Sequence, residues 1–230
     1  MSTEAGGFRD PTALTRWLRI LLWTSLGLGV LSVGSGLLEL KLLHELQDGA
    51  TLPPGAAGAN DLRQQIIGGV RFILLISTIV VFAIWIYRAN YNARQLGAAG
   101  MQFTPGWSVG WYFIPVANLW KPYQAMKEIW RASAAPAQWQ EQPRGAILPW
   151  WWFLFIVSNL LSNIAFRLML SAKTLSEIIA ASTMNTVSDT VDIVNTAVAL
   201  VLVGQIFRMQ MANRAAGAEQ AAPATGSAPA

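Results

Sequence analysis

Hydrophobic and polar positions along this chain separate into whole blocks rather than alternating residue by residue. Apolar runs fall at about 17–38, 66–87, 147–170 and 191–209, with polar stretches between them. A hydrocarbon core about 30 Å thick is crossed by about 20 helical residues rising 1.5 Å each, and every run is about that long. The pattern predicts an all-α protein, an integral membrane four-helix bundle. The first run has Arg19 as its one charge, is too long for a signal-peptide core and lacks a small-residue cleavage site after it, so it reads as a retained span.

Around these runs the chain divides into a polar arm (1–16), a four-span membrane domain (17–210) and a low-complexity Ala/Gly/Pro/Ser tail (211–230) expected to be disordered. Ser25, Gly29, Ser32 and Gly36 share one face of the first span, where small residues admit a second helix, from this chain or another copy. Residues 39–65, with a Pro-Pro-Gly turn at 53–55, and residues 171–188 read as loops on one side. The first is entered through a helical extension of the first span that ends near His44, while Arg88–Leu96 continue the second helix until Gly97 stops it. The second span ends in Trp85, Tyr87 and Arg88, an aromatic-plus-basic interfacial anchor.

Composition supports the membrane reading. Only 12% of residues are charged and 53% are hydrophobic, against roughly 25% charged in soluble domains. A net charge of +4 raises nucleic acid as a partner, but the basic residues follow the topology instead. Eleven of the sixteen Lys and Arg fall in the two terminal segments and in 88–145, which places both termini and that long segment in the cytoplasm of a cell-membrane protein. No nucleic-acid partner is expected. The chain has no cysteine and one histidine, His44, so disulfides, thiolate chemistry and a multi-His metal site are excluded within one chain.

The long segment holds the most unusual stretch, residues 103–133. Its candidate functional residues are Arg88, Pro105, Gly106, Trp107, Gly110, Trp111, Pro115, Asn118, Trp120, Lys121, Pro122 and Trp130. Pro115 and Pro122 interrupt helix continuity. Gly106 and Gly110 allow close backbone packing, and Asn118 is placed to cap the helix that follows. From about Pro122 to Ala134, Tyr123, Met126, Ile129 and Trp130 recur at helical spacing opposite Lys127, Glu128 and Arg131. That amphipathic helix suits the headgroup plane, or packing on its own bundle. The stretch before it is either re-entrant or an interfacial hairpin on the cytoplasmic side. The hairpin is preferred, because roughly ten residues cannot cross 30 Å as a helix. Trp150, Trp151 and Trp152 read as a further anchor at the same boundary.

A second set of polar residues lies within the spans: Arg71, Asn159, Asn163, Arg167, Asp192 and Asn195. Asn159, Asn163 and Arg167 form an i, i+4, i+8 stripe, and polar groups facing lipid are costly, so the stripe should face other helices or a wet cavity. The cluster is either structural glue or an outward polar cavity for a solute or ion. No nucleophile–base pair, P-loop or metal-binding motif occurs, so neither an enzymatic activity nor a cofactor or metal is expected.

Arg88, Pro105-Gly106-Trp107, Gly110-Trp111, Ile114-Pro115, Asn118-Leu119-Trp120, Lys121-Pro122-Tyr123 and Glu128-Ile129-Trp130 resemble the bacterial membrane proteins grouped as domain of unknown function 4328. The resemblance covers most of 65–210 and implies a multi-span membrane protein without an assigned activity. The functional expectation is a non-enzymatic module that contacts the bilayer, its anionic headgroups, another membrane protein or a second copy of itself. The alternative is a small transporter or channel-like component using the polar cluster.

Overall fold

The computed structural model describes residues 7–221, and within them every regular element is helical. The helices are α1 (Thr12–Gln47), α2 (Ala56–Gln95), α3 (Pro105–Gly110), α4 (Lys121–Ala134), α5 (Ile147–Ser171) and α6 (Leu175–Ala221). Short 3₁₀ turns occur at Trp111–Phe113, Ala117–Leu119 and Pro136–Glu141. α1, α2, α5 and α6 are long and apolar enough to cross a membrane.

Three of these helices outrun their apolar cores. With 36, 40, 25 and 47 residues, they extend roughly 54, 60, 38 and 70 Å at 1.5 Å per residue. Within 39–65, residues 39–47 continue α1, as the extension expected to end near His44 does, and 56–65, expected as loop, are the start of α2. Lys41 and Glu45, one turn apart and 3.9 Å from each other, decorate that polar extension. α1 stops at Gly49, whose φ of 83° favours glycine. Ala50 N donates to Glu45 O (2.9 Å) and Gly49 N to Leu46 O (3.1 Å), which satisfies the last carbonyls. At its other end, Asp10 accepts from Thr12 Oγ1 (2.6 Å) and Thr12 N (2.9 Å), and these bonds hold its carboxyl below the usual carboxylate range.

α6 runs on to Ala221, so residues 211–221 are helical where a disordered tail was expected. The reason is composition, since this part is rich in alanine, the strongest helix former. Residues 222–230 of that tail, and residues 1–6 of the arm, lie outside the described residues.

The chain forms two compact units, and each of the four long helices contributes to both. The first comprises Arg16–Phe82 and Pro149–Leu202. Its interior is small and polar: Ser32, Ser35, Ser158, Ser182, Ser188 and Asp189 are all buried. Its surface is apolar, with Leu31, Phe72, Ile73, Phe166 and Leu170 each more than 60% exposed. This inversion suits a hydrocarbon solvent, where close packing and interhelical hydrogen bonds hold helices together and burial of apolar area does not.

The small-residue face of α1 is occupied by the chain's own α6. Ser32 Oγ donates to Asp189 at 2.6 Å. A Cβ added at Gly29 would lie 2.9 Å from Ile193, and one at Gly36 would run into Thr186. Gly36→Leu is therefore expected to lower the unfolding temperature in detergent, with a cost of about 1–3 kcal/mol for overpacking. Gly34→Leu, on an open face of the same helix, should leave that temperature unchanged.

Three tryptophans expected as interfacial anchors, Trp85, Trp151 and Trp152, are core residues instead, while Trp150 and Tyr87 stay exposed. Successive helical side chains diverge by about 100°, so only Trp150 of the Trp triplet is exposed, while Trp151 and Trp152 are buried. Trp151 lies 6.5 Å from Phe82, and Trp152 stacks on Phe155 at 5.0 Å. Trp85 belongs to the second unit, made of the described residues up to Thr15, Ala83–Leu148 and the described residues from Val203 onward. It is 2% exposed and donates Nε1 to Thr15 Oγ1 at 3.1 Å. The second unit has an apolar core that includes Ile86, Met126, Ile129, Leu148 and Ile206. Gln210 is buried in it, donating to Ala89 O (2.8 Å) and Ser133 Oγ (2.9 Å).

Candidate functional site

The candidate stretch starts where α2 ends. Gly97 takes a φ of 103°, and Ala98 N and Gly97 N close the helix on Ala93 O (3.2 Å) and Arg94 O (3.0 Å). The following loop is held by side chains from two helices. Asn90, fully buried on α2, donates Nδ2 to Phe103 O (2.9 Å) and Ser108 Oγ (2.8 Å). Arg94 donates Nη2 to the carbonyls of Met101 and Phe103, both at 2.9 Å, and Nε to Asn90 Oδ1 at 3.1 Å. From α4, the Glu128 carboxylate accepts from Gln102 N (2.5 Å) and Phe103 N (3.0 Å). Burial pushes that carboxyl above its ordinary pKa, while the two backbone N–H groups and Arg94 pull it back down.

α3 begins directly after this loop. Pro105 sits in its first turn, where a missing N–H costs nothing, and Thr104 Oγ1 accepts from Trp107 N at 3.3 Å. One helical turn separates Trp107 from Trp111, and their rings lie 4.9 Å apart. Gly110 lets the Trp107 ring fold close, since a Cβ there would sit 3.2 Å from it; Gly106 faces open space and meets no such constraint. The chain then turns back to start α4, which brings Lys121 Nζ 5.6 Å above the Trp111 ring centre and 5.7 Å above that of Phe103. Gln102, Phe103, Trp107, Trp111 and Lys121 together line a shallow open cavity of about 250 Å³.

A strained tip connects the two walls. Val116 has a φ of 68°, a value that β-branched residues rarely adopt. Ala117 N donates to Pro115 O across it at 2.8 Å, a tight γ-turn. Phe113, Val116, Leu119 and Trp120 are exposed around this tip, by 69, 66, 53 and 44%. Burial raises the Tyr112 hydroxyl far above its ordinary pKa, so it stays protonated.

The cavity thus gathers three of the residues expected to matter, Trp107, Trp111 and Lys121, and adds Gln102 and Phe103. The others do not line it. Arg88 donates to Asp10 O at 3.2 Å. Asn118 lies in a 3₁₀ turn and does not cap α4, whose N-cap position is Trp120 with no side-chain bond. Pro122 fits the first turn of α4. The Trp130 ring lies where any Cβ at Gly145 would stand. α4 buries Met126 and Ile129 in its own unit, so its apolar face is not in a headgroup plane.

The polar residues of the long helices form a smaller cluster than expected, with a different acid at its centre. Arg71 Nη1 pairs with Asp189 Oδ2 at 2.5 Å and donates to Ser32 Oγ at 2.7 Å. Asp192 is farther, 4.0 Å from Arg71 Nη2, and accepts from Ser158 at 3.2 Å. Asn195 is one turn along α6, and its side-chain oxygen is buried without a hydrogen-bond partner among the described residues. Asn159, Asn163 and Arg167 do not join them. All three are exposed on α5. Their bonds stay within the helix: Asn159 Nδ2 to Phe155 O at 2.7 Å, and Arg167 Nε to Asn163 Oδ1 at 2.9 Å.

These features define an all-helical protein with four helices long and apolar enough to cross a membrane, an aromatic–lysine cavity in one unit and a buried arginine–carboxylate cluster in the other. A family model described as domain of unknown function (DUF4328) matches residues 48–208, and the chain belongs to that family. The match includes every cavity residue as well as Arg71, Asp189 and Asp192, while Ser32 on α1 falls outside it. No curated protein and no solved structure matches the chain.

Proposed function

We propose that this is a non-enzymatic, four-span bundle of the cell membrane, with both termini and residues 103–133 on the cytoplasmic side, and that its cavity holds the headgroup of an anionic lipid. The observation that carries this reading is the position of Lys121: an ammonium over two aromatic faces, lining an open cavity, with no carboxylate in salt-bridge range among the described residues. An ammonium held this way meets a phosphate as a point charge. The rings of Trp107 and Trp111 supply amphipathic walls of the kind favoured at membrane interfaces. The exposed tip at Phe113, Val116 and Leu119 offers apolar side chains to the acyl boundary beside it. The cytoplasmic placement rests on the distribution of Lys and Arg.

The test is stabilisation by lipid in detergent micelles. Added phosphatidylglycerol should raise the unfolding temperature of the wild-type protein more than phosphatidylcholine does, because a ligand that binds only the folded state stabilises it. Lys121→Gln should remove most of that difference, weakening apparent affinity about tenfold for the loss of one charge-assisted contact of about 1.5 kcal/mol. Equal response of Lys121→Gln and wild type would refute the assignment.

A second reading, a small transporter or channel-like component, draws on the Arg71 cluster, where one guanidinium faces the buried Asp189 and the half-exposed Asp192. That surplus of negative charge would favour a proton or metal cation. Cation or proton flux in proteoliposomes that is abolished by Asp192→Asn would support this reading; flux equal to that of empty liposomes would dismiss it.

A further inference from the structure

We infer that the outer face of α5 is the contact surface for a second copy of this chain, centred on Asn159, Asn163 and Arg167. Asn159 stands at the midpoint of the 25-residue helix, twelve residues from Ile147 and from Ser171. That is roughly 18 Å from either end at 1.5 Å per residue, the depth of the bilayer centre. It is exposed there, among exposed Leu160, Ile164 and Phe166. Beyond one bond to Phe155 O, its amide has no protein partner among the described residues, nor do the Asn163 amide N–H groups or the terminal N–H groups of Arg167. Hydrocarbon offers no donor or acceptor to any of them, so the face is incomplete in a single chain.

The chemistry of the face selects its occupant. A carboxamide carries both a donor and an acceptor, so an Asn stripe is complementary to itself, and two copies related by a twofold axis along the membrane normal bring the same amides together at equal depth. Arg167 needs an acid at the depth of the α5 end. This chain supplies one: Glu177 is exposed in the first turn of α6, just past the short connection that follows Ser171. Within one chain Glu177 accepts from Lys173 N (2.6 Å) and Thr174 N (3.0 Å) through Oε2 and forms no ion pair with Arg167. In a twofold pair Arg167 of each copy faces Glu177 of the other. The small-residue face of α1 is not available for this purpose, because α6 fills it.

The absence of native cysteine gives the test a clean background. In membranes of expressing cells, Asn159→Cys is expected to form a disulfide-linked dimer under mild oxidation, whereas Phe72→Cys, exposed on α2, is not. In nanodiscs or mild detergent, light scattering should report a dimer for wild type. The double variant Asn159→Leu/Asn163→Leu should raise the dimer dissociation constant at least about tenfold while keeping the monomer's unfolding temperature, because it removes no contact to another helix. Glu177→Gln, which keeps the helix cap but removes the charge, should weaken the dimer as well. A wild-type protein that stays monomeric without a 159–159 crosslink overturns the proposal. So does a dimer that survives the double leucine variant, or a crosslink from residue 159 only to a different protein.

Discussion

Arg71→Ala is expected to produce the largest loss of stability of any single substitution in the first unit, about 3–5 kcal/mol, because it strands Asp189 as an uncompensated buried carboxylate. In detergent the unfolding temperature should fall sharply or the protein should fail to accumulate. Arg71→Lys keeps the charge but cannot reach Asp189, Ser32 and Asp192 through one fork, so an intermediate loss is expected. Asp192→Asn should cost much less, since Asp192 stands 4.0 Å from the guanidinium and is half-exposed. Equal unfolding temperatures for wild type and Arg71→Ala would show that the cluster does not hold the helices together.

Asn90→Leu should have the next largest effect, with a different signature. It leaves the Phe103 carbonyl with Arg94 alone, deprives Ser108 Oγ of a donor and takes away the acceptor for Arg94 Nε. Unsatisfied buried groups cost about 1–3 kcal/mol each, so a total of roughly 2–4 kcal/mol is expected. The 101–104 loop also sets the positions of Phe103 and, through α3, of Trp107. Loss of the phosphatidylglycerol-specific stabilisation should therefore accompany the loss of stability, whereas Arg71→Ala should leave lipid response intact in whatever protein folds. Quenching of tryptophan fluorescence by brominated lipid would report the same displacement of the α3 rings.

Where the sequence reading succeeds, local chemistry decides the outcome. α5 ends one residue beyond the predicted 147–170 and α4 starts one residue before the predicted 122, because proline and a continuous apolar run mark those limits. Gly97 stops α2 through a positive φ that its neighbours adopt only at a cost. Where the reading fails, the missing information is directional or long-range. An apolar run measures membrane thickness rather than helix length, so the polar start of α2 over 56–65 went unseen. A polar stripe reveals which residues share a face but not where the face points, and Asn159, Asn163 and Arg167 turn outward. Asp189 lies three residues before Asp192 on the same side of α6, a spacing that marks it as a companion acid, yet it fell between the predicted loop and span. Asn90 and Glu128 bond across 13 to 26 residues of chain, to backbone groups that no motif reveals.

The headgroup site stands or falls on what meets the Lys121 ammonium. Solid-state NMR on protein reconstituted in phosphatidylglycerol bilayers, with ¹⁵N-labelled lysine and lipid ³¹P as the reporter, measures that contact directly. The chain has four lysines, Lys41, Lys121, Lys127 and Lys173, so Lys121→Gln assigns the signal by difference. The predicted result is a short nitrogen–phosphorus dipolar contact that disappears in Lys121→Gln and persists in Lys127→Gln. A contact unchanged by Lys121→Gln, or no lysine–phosphorus contact at all, would contradict the headgroup site.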